Sequence, residues 1–380
     1  MVTSVLFSPF TLRDVTLKNR VAVSPMSQYR ARDGEANDWH LVHLGRFALG
    51  GAGLVFVEAT AVEKDGRRTH GDLGLWSDTQ IEHLSPVTRF LAREGAIPGI
   101  QLGHAGRKAS ERRPWHGETP VDAEDLSERS EAPWTAIAPS PVPYAEGWPE
   151  PAEMSDDDVQ RVIGSFGEAA RRSNEAGFKV LEVYAAHGFL IHQFLSPISN
   201  RRTDRWGGNG ENRRRFAVEV ARSIRRNWPD GLPLVFRLSA TDWVDGGIEV
   251  DGTIETAKAL AAEGVDMIDC SSGGIGGKER PHRMKIEQGF QTPFAARIRE
   301  EADIATMSVG FLWDAQFCEH ALATGKCDMM ALARELLDDP NWPLHTATEL
   351  DVDDDHDAWP VEAGWWLRKR ARLLTKLGVR

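Results

Sequence analysis

Lys179-Val180-Leu181-Glu182-Val183-Tyr184-Ala185-Ala186-His187-Gly188-Phe189-Leu190-Ile191-His192-Gln193-Phe194-Leu195-Ser196-Pro197 is the stretch whose reading decides the fold. Its first five residues, mostly β-branched or apolar, predict a buried strand. The run stops at Tyr184 and His187, two hydrogen-bonding side chains three positions apart, with Asn200-Arg201-Arg202-Thr203-Asp204-Arg205-Trp206-Gly207-Gly208 behind them. A strand that delivers a phenol and an imidazole at its C-terminal end has the form of an active site.

The same unit recurs along the chain. Short apolar runs predict eight strands, at 20–23, 54–59, 97–102, 180–184, 234–238, 267–270, 305–309 and 328–332. Longer amphipathic stretches between them predict helices over 41–49, 79–94, 155–176, 211–227, 251–263, 294–301 and 313–324. Ser155 followed by Asp156, Asp157 and Asp158 is a sound N-cap with acidic residues in the first turn. Gly177 and Gly264 fall where a left-handed helix cap suits glycine. Eight βα units in succession favour a closed (β/α)8 TIM barrel, an α/β fold, over an open doubly wound sheet. An open sheet would normally carry a glycine fingerprint after its first strand; here that strand is followed by Ser24-Pro25-Met26-Ser27-Gln28-Tyr29.

Residues 1–348 are therefore read as the barrel. Segment 110–153 is too long for an ordinary loop and is expected to cross the barrel mouth, with room for a short hairpin. Residues 349–357 form an acidic linker, expected to be solvated. Trp365-Trp366 then precede a tail, 367–380, holding six basic residues and no acidic one.

Composition narrows the function classes. The chain has 380 residues, 41% of them hydrophobic, enough for a large core. A net charge of −12 argues against a nucleic-acid groove or an anionic membrane surface. No segment approaches the roughly 18 apolar residues of a membrane helix, and the first residues lack the pattern of a secretory signal. Three scattered cysteines, Cys270, Cys318 and Cys327, suit buried reduced thiols rather than a disulfide framework or zinc ribbon. A cytoplasmic protein without a bound metal is the expectation.

In a barrel the working residues sit at the C-terminal ends of the strands. Those ends are Ser24–Tyr29, Glu58-Ala59-Thr60, Gln101 with His104, Tyr184 with His187, Arg237, Ser271-Ser272, Gly310 and Ala333-Arg334. One amide, two arginines and two imidazoles on one rim suit a flat heterocycle, rich in donors and acceptors, that also carries a phosphate. The Gln101 amide can pair with an imide edge, and Arg237 can support negative charge on a ring nitrogen. Gly310 and Arg334 follow the last two strands, where barrels commonly seat phosphates.

This set resembles the Old Yellow Enzyme family of FMN-dependent ene-reductases, in particular its bacterial NADPH-dependent branch. The resemblance runs through Leu17-Lys18-Asn19-Arg20, Ser24-Pro25-Met26, Gly53–Val62, Gly74-Leu75-Trp76-Ser77-Asp78 and Gln101-Leu102-Gly103-His104-Ala105-Gly106-Arg107-Lys108. It continues through Ala185-Ala186-His187-Gly188, Phe194-Leu195-Ser196-Pro197, Arg237-Leu238-Ser239-Ala240 and Arg334-Glu335-Leu336-Leu337. It implies FMN contacts from Ser24, Pro25, Met26, Ser27, Ala59, Gln101, Arg237, Gly310, Ala333 and Arg334. It also implies a transient NADPH hydride donor and an enone-like or phenolic small-molecule ligand. Tyr29 then faces the substrate, and Tyr184 with His187 holds its carbonyl oxygen, two donors stabilising enolate charge as an oxyanion hole does. A homodimer or dimer-based tetramer is implied by the tail motif at Glu362-Ala363-Gly364-Trp365.

Five positions depart from that branch. Ser27 stands for a flavin-tuning cysteine, Tyr184 for the first histidine of the pair, and Phe189 for the tyrosine that gives the α-carbon its proton. Ala333 stands for a glycine at the phosphate, and Ala363 for an arginine that reaches a partner's site. Two rival readings stay open: a flavoenzyme of the same fold performing dehydrogenation, rearrangement or oxygen chemistry, and a flavin- or ligand-binding protein with little turnover.

Other residues are read structurally. His192 is expected to pack in a helix. His40 and His43 have metal-like spacing but no evident carboxylate partner in the sequence. Residues 273–278 lack the Lys-Ser/Thr spacing and following helix of a phosphate loop and are expected to form a loop beside the mouth. Arg107 and Lys108 face either a ligand or a structural ion pair.

Overall fold

The computed structural model of the chain describes residues 4–277 and 283–379. Its centre is a ring of eight parallel strands: β1 Val21–Val23, β2 Leu54–Ala61, β3 Ile97–Gly103, β4 Val180–Ala185, β5 Leu234–Ser239, β6 Met267–Ser271, β7 Ala305–Val309 and β8 Met329–Leu332. Each pairs with the next, and β8 pairs with β1 through Leu332 and Val23, which closes the barrel. The helices α1 Asp38–Leu49, α2 Thr79–Arg93, α3 Asp156–Glu175, α4 Gly210–Arg225, α5 Val250–Ala262, α6 Thr292–Ala302 and α7 Ala315–Ala323 jacket it.

Strand alternation divides the side chains into two cores. Outward residues such as Leu181, Val183, Phe236 and Ile268 pack on Phe166, Val220 and Leu260 of the helices. Inward residues Leu54, Phe56, Val180, Val235, Met267, Met307 and Met329 fill the lower barrel. A hairpin that composition did not suggest, Phe10–Leu12 with Val15–Leu17, caps this floor with Val15 and Leu17. Burying a Leu- or Met-sized side chain contributes about 1.5–3 kcal/mol, so the lower barrel carries stability. The polar upper layer is left for chemistry.

Helix starts follow side-chain caps. Ser155 caps α3 in a reciprocal box with Asp158, as expected, and Gly177 and Gly264 are left-handed, with φ of 95° and 85°. α1 starts three residues earlier than expected because Asn37 accepts from the Trp39 amide. α7 starts two residues later, since Asp314 accepts from the Phe317 amide at 2.6 Å. That cap leaves Trp313 outside the helix.

Segment 110–153 lies at the C-terminal end of the barrel. Arg107 donates to the carbonyls of Val142 and Pro143, and Tyr144 Oη donates to the carbonyl of Gly277. A short antiparallel turn, with Glu111 bridged to Pro120 and the Arg112 amide donating to the Thr119 carbonyl at 2.8 Å, stands where a short hairpin had room, while the two-residue strands Ile137–Ala138 and Ala152–Glu153 pair in parallel. After the linker, helix Val361–Lys376 exposes Trp365 and Trp366, with Lys369 Nζ 3.5 Å from the Trp365 ring. Among the described residues, no helix is long and apolar enough to cross a membrane.

Candidate active site

Above the apolar floor the inward positions turn polar. Gln101 on β3 lies opposite Glu182 on β4, and Arg237 on β5 lies between Tyr184 and Asp269 of its two neighbours. Gln101 Nε2 donates to Glu182 Oε1 at 2.6 Å. Arg237 donates from Nε to Ser271 Oγ at 2.8 Å and from Nη1 to Ser24 Oγ at 3.1 Å, and its Nε lies 3.3 Å from Asp269 Oδ2. Burial opposes the Arg237 charge, but Asp269 and Glu182 hold it above the usual guanidinium range.

Two buried carboxylates face one arginine. Burial pushes Glu182 well above the ordinary carboxylate range, and the Asp269 charge adds to that. Burial also raises Asp269, while Arg237 opposes the rise. Taken as ionised, Glu182 Oε2 and both Asp269 oxygens lack donors. The two carboxyls are near enough to hydrogen-bond each other, so one shared proton satisfies both. Arg237 beside Asp269 makes Glu182 its holder.

This constrains Gln101. Its NH2 group is turned to Glu182, which leaves its carbonyl oxygen free to accept from an imide N–H. The pairing that the strand-end pattern suggested is thus available, and Glu182, which sequence reasoning passed over, sets its polarity.

Beside this layer is a cavity of about 520 Å³. Of the expected cofactor residues it is lined by Ser24, Pro25, Arg237, Gly310, Ala333 and Arg334, and His187 also reaches it. Gly310 has φ 136°, and Ala333 precedes a short helix whose first backbone N–H groups have no side-chain cap among the described residues. Phe290, Phe311, Leu312 and Trp313 supply an apolar wall that the strand-end pattern did not reveal. The signal available was Phe311-Leu312-Trp313 directly after Gly310, which the sequence pattern had assigned partly to a helix. Met26 lines a separate small pocket with His40, His43 and Glu58. Ala59 sits at a break in the β2–β3 register, and Ser27 is half-buried in the loop after β1.

Tyr184 and His187 are brought together. Tyr184 Oη and His187 Nδ1 are 2.9 Å apart, and Phe189 stacks on Tyr184 with ring centroids 4.1 Å apart. Burial holds His187 well below the ordinary imidazole value, with Arg237 and Lys108 adding to it, so the ring is neutral at pH 7. Burial raises the Tyr184 phenol against the pull of Arg237. A neutral imidazole bonded to a neutral phenol has one proton left to point outward, from His Nε2 or from Tyr Oη. The pair offers one outward donor at a time, where the sequence pattern suggested two.

The backbone at His187 is strained, with φ 53°. Two glycines make room for it. A Cβ on Gly274 would lie 2.5 Å from His187 Cα, and one on Gly188 would lie 2.3 Å from the Gly274 carbonyl. The His187 amide donates to Ser239 Oγ at 3.0 Å, fixing the turn to the end of β5. The 273–277 turn therefore supports the site rather than binding phosphate; Lys278, the last residue of that expected loop, lies outside the described residues.

Tyr29 stands on the far side of the mouth, also left-handed at φ 55°. Its hydroxyl accepts from Arg68 Nη1 at 3.2 Å, and burial raises its pKa despite Arg68. Arg68 in turn is paired with Glu111. Lys108, 8% exposed, donates to the His187 carbonyl at 3.1 Å. Neither Lys108 nor Arg107 forms an ion pair among the described residues: Arg107 clamps the carbonyls of Val142, Pro143 and Ile275.

His192, His104 and His40 make their contacts within the protein. His192 accepts from the Gly188 amide at 2.9 Å and lies 2.7 Å from Asp242. His104 accepts from the Gly106 amide at 3.0 Å, and burial lowers it to about 4. His40 does have a carboxylate neighbour, Glu58 Oε1 at 3.5 Å, but no group of three potential metal ligands occurs among the described residues. The three cysteines are free and buried.

The donor set fits FMN. Gln101 and Arg237 suit the pyrimidine edge of an isoalloxazine, and the uncapped backbone with Arg334 suits a phosphate. Comparison with known proteins agrees. Residues 5–353 match the family described as NADH:flavin oxidoreductase / NADH oxidase. A protein named NADPH dehydrogenase from Geobacillus sp. (strain WCH70) is 42% identical over 349 residues, 91% of this chain and 95% of that one. Among solved structures, 2-naphthoyl-CoA reductase matches with a TM-score of 0.80 at 25% identity, covering 91% of this chain and 52% of that one. Morphinone reductase shares the fold, with a TM-score of 0.75 over 91% of this chain and 90% of its own. With the family pattern spanning nearly all of the barrel, the chain belongs to the NADH:flavin oxidoreductase / NADH oxidase family, the Old Yellow Enzyme group that its strand-end residues resembled.

Proposed function

We propose that this protein is an NADPH-dependent reductase of activated alkenes, taking α,β-unsaturated carbonyl compounds at the barrel mouth. The observation that carries this reading is the Tyr184–His187 pair, held at the end of β4 beside a cavity that Arg237 also lines. FMN, when bound, would supply the hydride-transfer chemistry between NADPH and the alkene. The protein's own part is electrostatic. Gln101 and Arg237 would hold the pyrimidine edge, and Arg237, kept cationic by Asp269, would support negative charge there. The outward donor of the Tyr184–His187 pair holds the substrate oxygen and stabilises the charge that grows on it. Tyr29 and the 110–153 segment bound the substrate side. The exposed Trp365 and Trp366 support pairing with a second copy, which light scattering would test.

The test is direct. The purified protein is given NADPH without oxygen and then 2-cyclohexenone or maleimide. Flavin bleached by NADPH and recoloured by the enone is expected. Bleaching without recolouring, with rapid consumption of another acceptor, would favour the oxidative or rearranging reading, to which the aprotic Phe189 beside Tyr184 lends support.

A further inference from the structure

Saturating a C=C bond takes a proton as well as a hydride, and the side chain stacked on Tyr184 is Phe189, which has none to give. Of the groups around the donor pair, Tyr184 and His187 share the one outward proton that holds the substrate oxygen, and Tyr29 Oη accepts from Arg68 and keeps its own proton, which burial makes harder to release. Ser239 donates to the Gly273 carbonyl at 2.9 Å. Lys108 holds more protons in reserve. Its Nζ makes one hydrogen bond among the described residues, to the His187 carbonyl at 3.1 Å, which leaves two N–H bonds uncommitted. It lies 4.7 Å from the Tyr144 ring centroid and 5.8 Å from that of Phe189, the ring stacked on Tyr184.

We propose that Lys108 is the catalytic acid that protonates the α-carbon after hydride arrives at the β-carbon. This rests on the reductase reading above. In the step, the enolate electron pair forms the new Cα–H bond while the ammonium N–H bond breaks, leaving a neutral amine and a saturated ketone. Water returns the proton to the amine between turnovers, so no further oxidant or reductant is needed.

The electrostatics suit the task. Burial lowers Lys108 to about 7, with Arg68 and Arg107 adding to the drop and Glu111 and Glu118 opposing it. The ammonium is present below that pH and lost above it, so it is both available and willing to give up its proton near neutrality. An ordinary exposed lysine, at 10.4, would be a far weaker acid.

The experiment follows reoxidation of the NADPH-reduced holoenzyme against pH with two acceptors, 2-cyclohexenone and 1-nitrocyclohexene. With the enone, the wild-type rate is expected to hold at low pH and fall above about 7. Lys108→Met should lower it by about 10²–10⁴-fold and erase that pH dependence. With the nitroalkene, whose nitronate is a stable absorbing anion, Lys108→Met should still reoxidise but accumulate nitronate. Adding Phe189→Tyr should restore part of the enone rate by placing a phenol at the same spot. A wild-type rate and pH profile in Lys108→Met would overturn the proposal. So would an equal loss with both acceptors and no nitronate, the mark of a strap holding only the His187 carbonyl. Wild-type enzyme that neither alkene reoxidises would instead sink the reductase reading, and the need for an acid with it.

Discussion

Glu182→Gln should be almost silent at low pH and increasingly stabilising as pH rises, because an amide copies the protonated acid that the fold requires. In the wild type, Glu182 accepts from Gln101 through Oε1 and offers its proton to Asp269 through Oε2. Glutamine keeps both bonds, with its carbonyl facing Gln101 and its NH2 facing Asp269. The difference lies in linkage. The Glu182 pKa is raised in the folded state from the ordinary 4.5, so above that value the unfolded chain has lost the proton while the folded chain keeps it. Stability must then fall with rising pH by about 1.4 kcal/mol per unit for this one proton. The loss begins near the unfolded pKa and continues until the raised folded value is reached. Asp269, Arg237 and Tyr184 face Glu182 in both proteins, so their contributions cancel to first order. The assay is urea denaturation of flavin-free wild type and Glu182→Gln at half-unit steps from pH 5 to 8. The gap between their unfolding free energies should widen with pH at about that slope. Parallel curves would refute the shared proton and leave the buried carboxyls needing another explanation.

Three further outcomes follow from the same geometry. Arg237→Met should destabilise the apoprotein by about 3–5 kcal/mol by leaving Asp269 charged and unpaired. Asp269→Asn in the same chain should recover most of that in denaturation but not the affinity for FMN, measured by quenching of its fluorescence. His187→Ala should weaken binding of a phenol to the holoenzyme, read from its long-wavelength absorption, by about 5–10-fold, the value of one neutral hydrogen bond; unchanged binding would remove His187 from the site. Gly274→Ala, with φ 92° and a Cβ 2.5 Å from His187 Cα, should cost about 1–3 kcal/mol of stability and weaken phenol binding too. A wild-type melting temperature would show that the two turns are not in such close contact.

The sequence by itself determined the barrel. All eight strands lie within two residues of where apolar runs predicted them, because each is buried on both faces and announces itself by composition alone. It also determined which side chains stand at the strand ends, since alternation and strand length settle that locally. Nine of the residues so nominated meet around one cavity: Ser24, Pro25, His187, Arg237, Ser271, Ser272, Gly310, Ala333 and Arg334. What the tertiary structure alone decided is how those groups pair. Tyr184 and His187 form one outward donor instead of two because their mutual bond depends on a left-handed turn, which in turn depends on Gly274 from a different strand end. The polarity of Gln101 depends on Glu182 one strand away, and the charge of Arg237 on Asp269 on the other side. Trp313 belongs to the cavity wall only because Asp314 caps the helix after it. Protonation states come from burial and from neighbours far away in the chain. A lysine that falls to about 7 in this fold looks, in the sequence, like any other.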